Sequence, residues 1–387
     1  MPKVNPDILS WARVTAGLSE VEAAKKLGLS GPHRLKALES GDRDPSQRQL
    51  LNISEKYHRP LLTFYMQTRP RESDKGQDFR TLPEAPTPSS EALLDALLRD
   101  VHVRQGLVRA ALEEAEEDEP LPFVGSAEMG NGVDALVGAM REVLGFSEGD
   151  FRAQKTVIDA FAALRAAAEK VGVFVLLIGN LGTYHTDIDA RVFRGFALAD
   201  EVAPFIVIND NDSRAAWSFT LLHELAHVFL GETGISGYDG ETEVEKFCDS
   251  VAGRFLLDSA ELAAIGAQNI VDSQELVKRI SAFAVDRNLS RKMVAYNLLR
   301  SGRITGEVYG ELSDAFDADR LAKKKERREG GGGPDYYKVK RHRVGPGLVN
   351  LVKRMVADGV LSTTKAGKVL GVKPTAVNRL VESNRAA

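Results

Sequence analysis

The chain has 387 residues and is 43 % hydrophobic, so it is long enough for two or three domains and apolar enough to form real cores. Its single Cys excludes a disulfide framework, a thiolate zinc finger and an iron–sulfur cluster, and is typical of a reducing compartment. The sequence contains no apolar run of membrane-spanning length and no signal-peptide pattern, so we expect a cytoplasmic protein with no membrane partner.

The net charge of −4 conceals a strong segregation along the chain. Residues 1–70 carry 11 basic and 7 acidic side chains, residues 71–319 carry 23 and 43, and residues 320–387 carry 17 and 5. Two basic ends that flank an acidic middle indicate nucleic-acid contact at the ends. The alternative is that the basic ends are solvated faces or solubilising tails.

The first 67 residues have the pattern of a compact unit of four short helices. Ser19 and Ser30 are suitable N-caps for the second and third helices, and Gly28 ends the second. Two short helices joined by a tight turn predict a helix-turn-helix unit, whose second helix enters the DNA major groove. The polar positions expected to contact DNA bases or phosphates are Ser30, His33, Arg34, Lys36 and Arg43. The alternative is a helical protein-interaction module, and the small charge excess means that strong DNA binding needs a homodimer or help from the basic C-terminus.

The middle of the chain predicts a small β-sheet packed against helices. Residues 68–90 are rich in proline and read as a linker or strap, followed by a long helical pattern over 91–118. Further elements are expected as a helix at about 156–170, strands within 173–179, 191–199 and 204–209, and helices from 213 to about 300. The fold class is therefore mainly α with a small β-sheet, α+β, and the central domain is placed at 91–320.

The C-terminal part predicts a basic, glycine-rich linker at 321–346 and a helical domain at 347–387. An offset of 343 positions matches Leu18, Ser19, Ala23, Lys25, Leu27 and Gly28 to Leu361, Ser362, Ala366, Lys368, Leu370 and Gly371. The same offset matches Glu39-Ser40 to Glu382-Ser383. This repeat predicts a second helix-turn-helix-like unit at the C-terminus.

A metal-binding pattern occurs at residues 223–227, where H-E-x-x-H stands in an apolar, helix-compatible stretch. His223 and His227 are one helical turn apart on one face, so two imidazole nitrogens can reach one ion. Glu224, beside the first histidine, is placed to take a proton from water as a general base. A chance occurrence of the spacing is the alternative, but the complete pattern in a chain with only 7 His favours a metal site.

A catalytic zinc site needs a third protein ligand, and a predicted downstream helix offers carboxylates. Glu245 and Asp249 are four residues apart, so one can bind the metal while the other holds a histidine ring through its second nitrogen. We favour Glu245 as the ligand and Asp249 as the partner of a histidine. Glu241 and Glu243 are competing ligands, or merely acids of a first helical turn.

These residues resemble the ImmA/IrrE family of metallo-endopeptidases, through HELAHVFLG, the preceding strand PFIVIN and the downstream pattern E-x-x-C-D-x-V-A-x-x-F-L-L. The N-terminal unit is similar to the helix-turn-helix domains of the XRE family, which some members of the peptidase family carry. The resemblance implies a zincin-like core with one Zn²⁺ bound by His223, His227 and Glu245, and Glu224 as general base. It also implies limited proteolysis of a partner transcriptional repressor. Asp258 and Cys248 depart from the residues common in the family.

Two other functions stay open at this stage. One is a DNA-binding transcriptional regulator whose zinc site is structural or sensory, and the other is an antitoxin-like or scaffolding protein. No residue of the sequence is placed as the donor to the oxyanion of a peptide-hydrolysis intermediate. Tyr184, His185, Arg214 and Tyr238 are candidates, but nothing in the sequence places any of them in the site, and a surface or packing role is favoured for each.

Overall fold

The computed structural model describes residues 3–70, 77–78, 87–236, 242–267, 272–329 and 335–382. The helices are α1 Pro6–Thr15, α2 Glu20–Lys26, α3 Pro32–Glu39, α4 Gln47–Lys56, α5 Pro88–Glu114, α6 Val133–Leu144, α7 Glu148–Arg152, α8 Val157–Lys170, α9 Trp217–Leu230, α10 Glu243–Leu256, α11 Ser273–Asp286, α12 Arg291–Arg300, α13 Gly306–Glu329, α14 Tyr336–Val344, α15 Pro346–Ala357, α16 Thr363–Leu370 and α17 Val377–Glu382. The strands are β1 Gln77–Asp78, β2 Phe174–Leu177, β3 Gly195–Leu198, β4 Phe205–Ile208 and β5 Gly234–Ser236. Within these ranges, no helix combines the length and the apolar character that crossing a bilayer requires.

The N-terminal helices α1–α4 enclose a core of their own, built around Ile8, Leu35, Leu50 and Phe64. The Ser19 hydroxyl caps α2 by accepting a hydrogen bond from the backbone N–H of Glu22. The expected cap at Ser30 is wrong, because α3 begins one residue later, after Gly31, and no side chain caps it. Pro32 occupies its first turn, where a missing N–H leaves no donor to be capped.

The sheet is small and mixed, with the strand order β1-β5-β3-β4-β2. β2 is parallel to β4, β3 is antiparallel to both β4 and β5, and β1 is parallel to β5. The three expected strands lie within their predicted intervals, whereas β5 and β1 were not expected. The chain is therefore mainly helical with a small mixed sheet.

The two faces of the sheet belong to two different hydrophobic cores, because successive side chains of a strand point to opposite faces. Val175 and Ile206 belong to the core that includes α6 and α8–α12. Phe174 and Val207 belong to the core that includes α5 and α14–α17. The sheet is thus covered on one side by the middle of the chain and on the other by α5 and the C-terminal helices.

The expected linkers are partly wrong. Residues 336–344, inside the linker expected at 321–346, form α14, and α13 continues to Glu329. The C-terminal helices share a core with β2 and β4, so they pack on the sheet instead of forming a separate folding unit. The linker expected at 68–90 ends earlier, since Pro88 starts α5. The four consecutive glycines at 330–333 lie outside the described residues.

Candidate metal centre

Two helices bring the candidate ligands together. Helix α9 is buried on almost all sides, since every residue from Thr220 to Phe229 is buried. It ends where Gly231 adopts a left-handed conformation, with φ +73°. Helix α10 packs against α9 and begins at Thr242, whose hydroxyl accepts a hydrogen bond from the backbone N–H of Glu245. The cap fixes the start of α10 and places Glu245 in its first turn, facing α9.

His223, His227 and Glu245 converge on one point. The two Nε2 atoms are 3.2 Å apart, and Nε2 of His227 is 2.9 Å from Oε1 of Glu245. Nε2 of His223 is 3.3 Å from Oε2 of the same carboxylate. All three residues are buried, with 5 %, 1 % and 2 % of their surface exposed. Among the described residues, this is the group of His, Cys, Asp or Glu side chains that could hold a metal ion.

The distances between the donor atoms fit one tetrahedral ion. Ligands at about 2.0–2.1 Å from such an ion are separated from one another by about 3.3–3.4 Å, and the observed separations of 2.9–3.3 Å approach that value. Two nitrogens and one carboxylate are also the donor set of many catalytic zinc sites. The arrangement is compatible with a bound metal ion.

Asp249 lies on the far side of the His223 ring. The Nδ1–H of His223 donates a hydrogen bond of 2.9 Å to Oδ1 of Asp249, and this leaves the lone pair of Nε2 directed at the ligand cluster. Burial opposes the charged form of His223, but the hydrogen bonds that its ring donates to Asp249 and Glu245 outweigh this effect and raise the His223 pKa well above its ordinary value. Asp249 therefore fixes both the orientation of the ring and the nitrogen that faces the cluster.

Glu224 lies beside the cluster and is completely buried. Neither of its carboxylate oxygens has a hydrogen-bond partner in the part of the chain that the structure describes. Burial raises the pKa of Glu224 to about 8, against the opposing charge of His223. A buried carboxyl group without partners is costly unless water, substrate or an ion engages it, which is the condition of a residue held ready for chemistry.

Gly195, the first residue of β3, makes room for this carboxyl group. A Cβ atom at Gly195 would lie 2.6 Å from Oε1 of Glu224 and 2.7 Å from Cγ2 of Thr220. Both distances are shorter than a van der Waals contact of a carbon atom. A residue with a side chain at this position would therefore displace Glu224. Sequence reasoning did not find Gly195, because a glycine in a buried strand carries no signal until its neighbours are known.

Ser236, at the end of β5, is a second residue that the sequence did not reveal. Its hydroxyl is 3.2 Å from Nε2 of His223 and 3.5 Å from Oε1 of Glu245. A strand of only three residues gives too short a pattern for recognition. The structure thus adds a hydroxyl group to the two imidazoles and the carboxylate.

The competing candidates lie elsewhere or outside the described residues. The Glu243 side chain is 87 % exposed and pairs with Lys246. Tyr184, His185 and Arg214 are exposed, whereas Glu241 and Tyr238 are not among the described residues. Cys248 is buried on α10, and burial raises its thiol pKa well above the ordinary value, as expected of a packing cysteine.

The region around this candidate centre is similar to one known protein family. Residues 169–299 match the family model of peptidase M78, the IrrE N-terminal-like domain. The match includes the strands β2 to β5 and the helices α9 to α11, and therefore all the candidate ligands. It supports the resemblance to the ImmA/IrrE family and indicates a metallopeptidase-type function. No curated protein and no solved structure matches the chain.

The peptidase M78 match does not reach the N-terminal helices, where the expected DNA contacts lie. Ser30, His33, Arg34, Lys36 and Arg43 are all exposed on or next to α3. Lys36 pairs with Glu20 at 3.3 Å, across the α2–α3 pair. These positions face solvent and are sterically free to contact a partner.

Proposed function

We propose that the chain is a zinc-dependent endopeptidase that regulates transcription by limited proteolysis of a partner repressor. The observation that carries the proposal is the buried cluster of His223, His227 and Glu245, with Glu224 between the two histidines and within the same helix. In a purely structural zinc site a protein ligand occupies the fourth coordination position of the metal, and a neighbouring carboxyl group has no function there. The match to peptidase M78 supports the same conclusion.

One zinc ion per chain would be held by the two Nε2 atoms and the Glu245 carboxylate. When bound, it polarises the scissile carbonyl and lowers the pKa of water at the site. Glu224 accepts a proton from the attacking water and delivers it to the departing amine nitrogen. Asp249 keeps the His223 ring in its orientation, and Gly195 leaves the space that the Glu224 carboxyl group occupies.

The variant Glu224→Gln tests this function. We expect it to retain one zinc per chain and to lose cleavage of a repressor encoded beside this protein by about 10²-fold or more, because the amide cannot accept the proton. Metal content is measured by atomic spectroscopy and cleavage by mass spectrometry of the products. Glu243→Gln, at an exposed carboxylate of α10, is the matched control. Unimpaired cleavage in Glu224→Gln would refute the proposal.

The N-terminal unit is proposed to direct the peptidase to DNA. Its helices α2 and α3 are joined by a short turn in which Gly28 is left-handed, with φ +67°, and short helices joined in this way are typical of the helix-turn-helix. The exposed basic residues Arg34, Lys36 and Arg43 can contact phosphates or guanine edges, and Ser30 and His33 lie beside them. A gel-shift experiment with promoter DNA at two salt concentrations tests this part, and a salt-sensitive complex is the expected result.

One observation favours a second function, that of a DNA-binding regulator or antitoxin-like protein with a structural or sensory zinc site. Glu224 is 0 % exposed and His223 only 5 % exposed, which is the burial expected of a closed site. On this alternative, chelation of zinc changes DNA binding while no repressor is cleaved. The cleavage assay with and without chelator therefore separates the two functions.

A further inference from the structure

We propose that the C-terminal helix pair α16–α17 binds double-stranded DNA, in addition to the N-terminal unit. The proposal goes beyond the proposed function, which assigns DNA binding to the first 67 residues alone. It shares with that function only the premise that a helix-turn-helix pair of this geometry binds a duplex. Three observations carry it: the matching local structure of the two units, the exposed residues on the second helix pair, and the charge of the C-terminal region.

The first helix and the turn are the same in the two units. The hydroxyls of Ser19 and Ser362 each cap their helix by accepting a hydrogen bond from the backbone N–H three residues ahead, both at 3.3 Å. At the 343-residue offset, Ala23 and Ala366 are both completely buried. Gly28 and Gly371 are both left-handed, with φ +67° and +63°. The residues that are identical in the two units therefore also have the same structural roles as helix cap, buried residue and left-handed turn residue.

After the turn, the correspondence shifts by one residue. Pro374 starts the second helical segment of the C-terminal pair as Pro32 starts α3. The buried residues that follow keep the same spacing, with Leu35 and Leu38 in the first unit and Val377 and Leu380 in the second. The turn of the C-terminal unit is thus one residue shorter, so Glu39 corresponds in position to Val381 and not to Glu382, while Ser383 lies outside the described residues.

The shifted correspondence shows which positions of the second helical segment are exposed and polar in the C-terminal pair. His33 corresponds to Thr375, Lys36 to Asn378 and Ala37 to Arg379, and the three C-terminal residues are all exposed. Thr and Asn offer hydrogen bonds to base edges or phosphates, and Arg offers a fork of donors. Arg379 lies over the ring of Tyr337, 4.3 Å from its centroid, which orients its side chain.

The basic charge of the region is complementary to the phosphates of a DNA duplex. Residues 335–382 hold ten Lys or Arg and three Asp or Glu. Some of these cations attach the unit to the rest of the chain, as Lys368 does to Asp100 and Arg343 to Asp210. Lys365 and Lys373 are exposed instead, and they have no ion-pair partner within the described part of the chain. These two lysines lie on the same α16–α17 pair as Thr375 and Asn378.

The test measures binding of the full-length zinc-loaded protein to a fluorescent mixed-sequence DNA duplex by anisotropy, over a range of salt concentrations. Lys373→Glu and Lys353→Glu are compared, because both replace an exposed lysine by the same acid and only Lys373 belongs to the α16–α17 pair. Lys353 lies on α15 and serves as the control for net charge. Within the described residues, neither lysine side chain makes a hydrogen bond or an ion pair, and equal melting temperatures verify that both variants are folded.

We expect Lys373→Glu to weaken binding about eightfold or more at about 0.1 M salt and to reduce the salt slope by about 0.9, the effect of one lost phosphate contact. Lys353→Glu should have a smaller effect on both. Equal effects of the two substitutions, or no effect of either, would overturn the proposal.

The variant Arg34→Ala/Lys36→Ala separates this proposal from the proposed function. If it abolishes DNA binding and Lys373→Glu does not weaken it, the N-terminal unit alone binds DNA and the C-terminal proposal fails. If only Lys373→Glu weakens binding, the C-terminal proposal holds and the N-terminal assignment fails. The peptidase function is tested independently of both, by the cleavage of a repressor by Glu224→Gln.

Discussion

The candidate metal centre consists of a few side chains that are almost completely buried. Glu224 and the three candidate ligands are enclosed by α9, α10 and the ends of β3 and β5. In such surroundings an ionised carboxyl group is unfavourable, so Glu224 is not expected to stabilise the fold. The addition or removal of a single atom next to Glu224 should therefore change the activity strongly.

The variant Gly195→Ala tests this sensitivity. The new methyl group would lie 2.6 Å from the Glu224 carboxylate, so we expect a displaced carboxyl group, a cleavage rate reduced at least tenfold, and a stability loss of about 1–3 kcal/mol. Repressor cleavage and urea unfolding measure the two effects. Gly138→Ala on α6 is the control, since no atom lies within 4 Å of its added Cβ. Wild-type cleavage by Gly195→Ala would contradict this account of the site.

The hydrogen bond between His223 and Asp249 makes a separate prediction about metal affinity. Asp249→Ala removes the acceptor that holds the ring, so we expect zinc to bind about 10–100-fold more weakly. Asp249→Asn keeps an acceptor oxygen and should restore part of the affinity. Competition with a chromogenic chelator measures the dissociation constants. If all three proteins bind zinc equally, the role assigned to Asp249 is wrong.

At the scale of elements, the junction between α8 and α14 explains why the predicted linker is a helix. Arg165 on α8 is only 3 % exposed and pairs with Glu169 one turn later at 3.0 Å. Its guanidinium also donates to the backbone oxygens of Val175 in β2 and of His342 in α14. Glu169 in turn accepts a hydrogen bond of 2.8 Å from the N–H of Gly347. One buried ion pair thus links a helix, a strand and the C-terminal unit.

Removing one member of this pair should be more damaging than removing both. Arg165→Met leaves Glu169 buried without its cation, and we expect a loss of about 3–5 kcal/mol in the free energy of unfolding. The double variant Arg165→Met/Glu169→Leu leaves no isolated charge and should recover much of that loss. Urea unfolding of the three proteins is the measurement. A double variant less stable than Arg165→Met would show that the hydrogen bonds, and not the charges, dominate.

At the scale of the whole molecule, the C-terminal helices complete the core around the central sheet. Their apolar residues, among them Leu348, Val352 and Leu370, share one cluster with Phe174 and Phe205 of the sheet. A face of the sheet that lost this cover would expose large aromatic side chains to water. The C-terminal unit is therefore part of the fold that holds the metal centre.

A chain that ends at residue 334 tests this dependence. We expect it to aggregate or to melt at a clearly lower temperature than the full chain, because the hydrophobic face under α14–α17 is uncovered. Calorimetry and size-exclusion chromatography measure the outcome. A soluble, zinc-binding and cleavage-competent truncated protein would instead show that α14–α17 form an independent domain.

The sequence predicts best those features of the structure that depend on residues close together in the chain. The five residues H-E-x-x-H lie on one helix, and helical geometry alone places the two histidines together. The downstream carboxylates follow from a second helix at short range, although spacing could not decide between Glu241, Glu243 and Glu245. The cap of α2 and the three central strands were likewise predictable, since each depends on a few adjacent residues.

By itself, therefore, the sequence determined the metal-binding pattern, the helical units and the strands β2, β3 and β4, because these follow from periodicity and neighbouring residues. Only the tertiary structure decided that Glu245 faces the histidines while Glu243 faces solvent, and that Gly195 and Ser236 border the site. It also decided that α14–α17 cover the sheet instead of following a linker. These outcomes depend on contacts between residues far apart in the chain, which no local pattern encodes.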